Sequence, residues 1–210
     1  MSEYVVTALE TQKTNKKKYN LYLDGEFYCG LTQESVAIFR IKVGQILTDE
    51  KLKDILNTTE TQIAFDKSLN YISRGMKTKR QVKEYLDGKH FSEIVVKNVL
   101  DKLENYGYVD DGDYANVYVA QNKKNKGTFR LKQEMLMKGI SKETVEEVLV
   151  DVDDEESFEN AFFLAQKLVK DKPLEQKLMA KVNRYLLSRG FSYEIVGRVI
   201  CKLKEISIDA

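Results

Sequence analysis

Apolar positions along this chain follow one period up to about residue 58 and another from about residue 60. In the first stretch, EYVVTALE (3–10) and KYNLYLDGEFYCG (18–30) are rich in β-branched and aromatic residues. Tyr19, Leu21 and Leu23 fall on one side of a strand, with Asn20 and Tyr22 on the other. Asp24-Gly25 is a tight-turn signal, with Phe27 and Tyr28 beyond it. This predicts a small antiparallel sheet of about three strands, its first two joined by the polar, basic TQKTNKKK. A short helix follows over 32–39 with Thr32 as N-cap. After a turn at KVG, Thr48 caps a second helix over DEKLKDIL, where Asp49 and Glu50 suit the positive helix end.

From about residue 60 the period is helical. Ile63, Ala64, Phe65, Leu69 and Ile72 predict one helix, ending near Arg74-Gly75. Thr78 caps the next, with Val82, Tyr85 and Leu86 inward. Ser92 caps a third, with Val96, Val99, Leu100 and Leu103 at i, i+3, i+4 and i+7. Gly107 fits the left-handed residue after a helix end.

This unit recurs. With Phe91, Ile140 and Phe191 aligned, the next residue is Ser in every copy: Ser92, Ser141 and Ser192. Without gaps, Val96, Val145 and Val196 coincide, then Val99, Val148 and Val199. Backwards, Leu86, Met135 and Leu186 coincide, as do Val82, Leu131 and Val182. A shared cap and core at fixed register predict three three-helix modules of about fifty residues. Each is marginal alone and is completed by its neighbours. The expected fold is mainly α: a tandem array of three three-helix modules forming an elongated curved molecule, with a small β-rich N-terminal extension. The expected domains are 1–58, 59–109, 110–152 and 153–210. An acidic linker at 150–157 is read as a solvated boundary that also places carboxylates at a helix start.

Composition adds mainly exclusions. Net charge is +1, so any nucleic-acid contact rests on local patches. Cys29 and Cys201 lie far apart, which points away from a disulfide framework or zinc site. No signal peptide and no membrane-length apolar run is visible, so a soluble protein of a reducing, intracellular compartment is expected. His90, the single histidine, aligns with Gly139 and Gly190 and reads as a turn residue rather than a ligand or base. No phosphate-cradling motif is present, so neither enzyme chemistry nor a cofactor is expected. The single proline, Pro173, removes the commonest helix breaker from the rest of the chain.

Three basic groups are candidate contacts. Lys13, Lys16, Lys17 and Lys18 form a loop that is either solvated or set against phosphates. Arg74, Lys77, Lys79, Arg80 and Lys83 surround the start of the second helix of the first module. Lys123, Lys124, Lys126, Arg130 and Lys132 hold the equivalent place in the second. Repetition of a basic patch at one position favours a shared binding face. Tyr19, Tyr22, Phe27 and Tyr28 are read as sheet core, with base stacking as the alternative. Tyr106, Tyr108, Tyr114 and Tyr118 are read as packing at a module junction, with a partner anchor as the alternative.

SLNYISRGMKTKRQVKEYL (68–86), the run Gly-Tyr-Val-Asp-Asp-x-x-Tyr-Ala at 107–115, and Gly-x-x-Arg-Leu continuing to Lys-Gly-Ile at 127–140 resemble the RecX family of bacterial regulators. The resemblance spans about 60–205. It extends into YNLYLDGEF and VGQILTDEKL, which look like the N-terminal extension of Gram-positive members. It is weakest in the third module, where Pro173 is unusual. The resemblance implies a non-enzymatic, monomeric, cytoplasmic protein that binds the RecA recombinase filament and restrains it, mainly by inhibition. Recombination, strand exchange and the DNA-damage response would be the affected processes. Partner contacts would fall on Arg74, Lys79, Arg80, Lys83, Lys123, Lys124, Lys126, Arg130 and Lys132. The alternative is a regulator that meets DNA directly through helix-turn-helix-like modules.

Overall fold

The computed structural model describes residues 2–170 and 175–208; Pro173 lies outside them. Its elements are β1 (Glu3–Thr11), β2 (Lys18–Leu23), β3 (Glu26–Thr32), α1 (Gln33–Phe39), β4 (Ile46–Thr48) and α2 (Asp49–Ile72). Then follow α3 (Lys79–Asp87), α4 (Glu93–Asn105), α5 (Asp111–Asn122), α6 (Thr128–Met137) and α7 (Lys142–Val150), and finally α8 (Asp154–Val169), α9 (Gln176–Ser188) and α10 (Tyr193–Ile208). The chain divides into two compact units, one of residues 1–76 with 82–109, the other of residues 77–81 with 110–210.

In the first unit the sheet has four strands, not three, in the order β3-β2-β1-β4, all antiparallel. The extra strand, β4, is only three residues long, too short for its alternation to show. Asp24 and Gly25 both have positive φ (50° and 90°), as a two-residue hairpin with right-handed twist requires. Asp24 Oδ1 accepts from the Val5 N–H and Thr7 Oγ1 from the Gly25 N–H, pinning the turn to β1. The sheet core is Val6, Leu21, Leu23, Leu31, Ile41 and Leu47, closed by Leu52 and Ile55 of α2. Tyr19 packs against it. Phe27 and Tyr28 do not: a bulge between Leu21 and Tyr22 turns them out, and they are 60% and 42% exposed.

The two helices expected over 49–56 and 63–72 are one, α2, which crosses the boundary expected at 58–59. Its polar middle contains neither Pro nor Gly, so nothing there breaks a helix. Thr59 is buried, and its hydroxyl donates to Ser35 Oγ (2.9 Å), which in turn meets Thr32 Oγ1 (2.8 Å). This hydroxyl chain replaces an apolar contact at the midpoint of α2 and ties it to α1. Beyond Thr59, α2 supplies Ala64 and Phe65 to the core of the first repeat. There they meet Val82, Leu86, Val95, Val96, Val99 and Leu103.

In the second unit α5–α7 enclose Ala115, Val119, Leu131, Met135, Ile140 and Val145. Helices α8–α10 enclose a larger core around Phe158, Leu164, Val182, Leu186, Phe191 and Val199. The expected caps form. Thr32, Thr48, Ser92 and Ser141 each accept a backbone N–H three residues on, and Ser192 accepts that of Ile195. Asp110 and Asp153 cap α5 and α8. Asp154, Glu155 and Glu156 stand in the first turn of α8, where the helix field favours carboxylates.

The second helix of every repeat ends identically. Phe91, Ile140 and Phe191 donate back to Leu86, Met135 and Leu186, and the residue between is left-handed: His90 (φ 62°), Gly139 (87°) and Gly190 (85°). His90 is thus a turn residue, as its alignment predicted.

Candidate interaction surface

Two of these helix ends are docking points inside the second unit. Thr78 Oγ1 donates to the carbonyl of Lys138 (2.7 Å), and the aliphatic stem of Arg80 lies against Gly139. A Cβ on Gly139 would sit 2.3 Å from Arg80 Cδ. One repeat later, the Gly127 N–H donates to Arg189 O (3.0 Å) and that of Phe129 to Gly190 O (3.1 Å). Arg130 Nη1 reaches Ser188 O (2.9 Å). Backbone there meets backbone: a Cβ on Gly127 would lie 2.3 Å from Gly190 O, and one on Gly190 2.4 Å from the Arg130 nitrogen. The motif Gly127-x-x-Arg130 and the closing Gly139 are therefore the parts of a module-to-module contact.

The basic residues sort by what they touch. In the first unit, Arg74 is exposed in the turn after α2, and Lys83 pairs with Asp87 at 2.7 Å. That hydrogen bond, with the neighbouring charge, raises the Lys83 ammonium above its ordinary value. In the second unit, the Lys79 N–H donates to Asp111 Oδ1 (2.9 Å), and Arg80 covers Gly139. The cluster around α3 is thus divided between the two units.

The second repeat's cluster is largely neutralised. Lys123 pairs with Glu156 (2.7 Å), Lys126 and Arg130 with Glu134 (2.6 and 3.0 Å), and Lys132 with Glu146 (2.8 Å). Lys124 alone of the five is exposed without an ion pair among the described residues. The Tyr118 hydroxyl also donates to Glu134, and Lys126 Nζ lies 3.2 Å from that hydroxyl. Partial burial would push the Glu134 carboxyl up, but hydrogen bonds from Lys126, Tyr118 and Arg130 overcome this and hold it down at about 2. The hydrogen bond from Lys132 lowers Glu146 likewise. Exposed ion pairs contribute ~0–1 kcal/mol each, so the Glu134 network, part-buried and fully bonded, is the one of structural weight.

The tyrosines split in the same way. Tyr106 and Tyr108 pack on Phe65 in the first unit, while Tyr114 and Tyr118 stack in the second with Lys138 over both rings. Lys13, Lys16 and Lys17 are exposed in a loop closed by Asn15. A groove of about 650 Å³ beside it, lined by Lys18, Gln33, Gln62 and Lys67 among others, is mixed in charge. Burial pushes the Cys29 thiol up to about 11. No three His, Cys, Asp or Glu residues come together as a metal set among the described residues. Likewise no helix among them is long and apolar enough to cross a membrane.

Sequence reading passed over one row. Lys177, Lys181 and Arg184 stand at i, i+4 and i+7 on α9, all exposed. The signal was present: α9 contains no acidic residue at all. The third repeat lacks the LysThrLys-Arg cluster that marks the first.

A β-rich start followed by three modules whose second helices end alike defines a tandem three-helix architecture. Comparison with known proteins makes that class specific. The chain matches the Regulatory protein RecX N-terminal domain over residues 4–48, and the first, second and third RecX three-helix domains over 64–103, 110–149 and 154–200. It is 34% identical to the regulatory protein RecX of Clostridium botulinum over 199 residues, 93% of this chain and 94% of that one. It is also 34% identical to that of Clostridioides difficile, over 95% of each. A crystal structure of a regulatory protein RecX superposes with a TM-score of 0.77 at 27% identity, covering 93% of this chain and 98% of the other. RecX from Lactobacillus salivarius gives 0.65 at 26%, covering 69% and 97%. The chain belongs to the RecX family of regulatory proteins.

Proposed function

We propose that this protein binds the RecA recombinase filament in the cytoplasm and modulates it without catalysis of its own. The main effect is inhibition of recombination, strand exchange and ATP turnover, and so regulation of DNA repair. Membership of a regulatory family across the sheet and all three modules carries the reading. The recurring docking position supports it: modules joined at the same place in the repeat suit a partner that itself repeats.

The contact surface we assign comprises Arg74, Lys79, Arg80, Lys83, Lys123, Lys124, Lys126, Arg130 and Lys132. Within it Arg74 and Lys124 are the direct probes, being exposed and outside the ion pairs described above. Reversing Arg80 would also disturb its packing on Gly139. The test is co-sedimentation with recombinase filaments on single-stranded DNA, together with a strand-exchange assay. Wild type inhibits exchange and sediments with filaments; Arg74→Glu/Lys124→Glu binds more weakly. No inhibition by wild type at equimolar ratio would sink the reading. Undiminished binding by the variant removes these two residues from the surface.

A further inference from the structure

The basic residues of α9 differ from those of α6 in making no ion pair among the described residues. Every cation of α6 or its approach, apart from Lys124, leans on a carboxylate. Lys177, Lys181 and Arg184 make no ion pair among the described residues; Arg184 approaches only the carbonyl of Ala180, at 3.4 Å. They share one face because side chains three and four apart are neighbours on a helix. The other face, Met179, Val182 and Leu186, is buried. The nearest acid in sequence is Glu175, at the N-cap.

The row does not stop at the end of α9. Ser188 lies one turn beyond Arg184, and its carbonyl holds the guanidinium of Arg130 at 2.9 Å. The three unpaired cations therefore follow a line that runs about 16 Å to Ser188, at ~1.5 Å per helical residue, and Arg130, already bonded to Glu134, closes its end. Two aromatic residues stand where this line ends. Phe129, 72% exposed, bonds its N–H to Gly190 O; Tyr193, 82% exposed, is three residues further along. No other aromatic side chain among the described residues exceeds 60%.

We propose that this face of the third repeat binds a single-stranded polynucleotide. Lys177, Lys181 and Arg184 meet successive phosphates, and Phe129 and Tyr193 stack on unpaired bases. Charge complementarity selects a phosphodiester chain. The rings select a single strand, because a duplex keeps its base faces stacked and would leave both aromatic residues in water. The inference deepens the proposed function and rests on it for the biological source of the strand. Its test needs no recombinase.

The experiment is fluorescence anisotropy of a labelled oligothymidylate, and of a duplex of equal length, with the full chain. The single strand binds more tightly. Lys177→Glu/Lys181→Glu/Arg184→Glu weakens binding at least tenfold and lowers the slope of log K against log salt by about 2, the value for three phosphates on a single strand. Phe129→Ala/Tyr193→Ala weakens it about fivefold or more. A charge-matched control at exposed lysines outside every candidate group, Lys51→Glu/Lys53→Glu/Lys97→Glu, keeps wild-type affinity. The proposal is overturned by absence of binding in wild type, by equal affinity for duplex, or by equal loss in the control. Gln at the same three α9 positions, which preserves helix propensity, guards against misfolding of the reversal variant. Wild-type affinity in that variant also overturns the proposal. Filament co-sedimentation is run in parallel. Wild type that sediments with filaments but binds no oligonucleotide defeats this proposal alone; wild type that binds the oligonucleotide but neither sediments with filaments nor inhibits exchange defeats only the regulatory reading.

Discussion

At the first docking contact a side-chain hydroxyl, Thr78 Oγ1, donates to the carbonyl of Lys138. At the second a backbone N–H, that of Gly127, donates to the carbonyl of Arg189. The two positions align in the repeat, and so do the two acceptors. The difference is reach. A hydroxyl extends from its backbone, so the first contact tolerates Thr, and its neighbour across Gly139 is a side chain, Arg80. A backbone donor must come closer, so the second needs glycine on both sides, Gly127 and Gly190. The closer contact also recruits a brace. Arg130 spans from Ser188 O to Glu134, and Glu134 is held in turn by Lys126 and Tyr118.

This comparison can be broken in graded ways. Gly190→Val combines a β-branched residue at φ 85° with a Cβ driven into the Arg130 backbone. A loss of about 4 kcal/mol in denaturant unfolding is expected, from ~1–2 for the left-handed backbone and ~1–3 for overpacking. The same change at Gly139 meets a side chain and should cost less; equal costs would refute the distinction between the contacts. Gly127→Ala keeps an acceptable φ of −77° but must displace Gly190 O, so about 2 kcal/mol is expected in the same assay. Thr78→Val removes both the donor to Lys138 O and the cap on the Gln81 N–H, for a loss of about 1–2 kcal/mol. Thr78→Ser should recover most of it.

The smallest effect concerns the brace and depends on pH. The Glu134 carboxyl is depressed from an ordinary 4.5 to about 2. Its contribution is therefore complete above about 4.5 and is lost as pH falls through the window down to about 2. Thermal melts of wild type and Glu134→Gln at pH 6, 4 and 2 should show a gap that narrows steadily with acid. A gap that is constant or widens would remove Glu134 from this role.

Much of the repeat was legible because its signals are local. Ser92, Ser141 and Ser192 announce helix starts by hydrogen-bonding chemistry confined to one turn. Val82, Leu131 and Val182 announce buried faces by period. His90 was legible as a turn residue through its alignment with two glycines. The structure adds why those two must be glycine: another module's chain lies against each of them. That reason was out of reach, because approach between segments some sixty residues apart leaves no periodic trace. The unity of α2 was hidden in the same way, since Thr59 reads as a break until Ser35 is known to receive it. The candidate surface was legible only as a list of cations. Which of them remain available depends on Glu134, Glu146 and Glu156, whose spacing to their partners ranges from helical (Arg130 and Glu134) to distant (Lys123 and Glu156).

The continuity of α2 has a consequence for synthesis on the ribosome. The first forty-eight residues hold all four strands, yet their core is closed by Leu52 and Ile55. The same helix continues to Ile72, carrying Ala64 and Phe65, whose partners Val95, Val96, Val99 and Leu103 emerge about thirty residues later. During that interval a newly made sheet is anchored to a half-covered helix, which makes the nascent first repeat the interval when a chaperone would find most to hold.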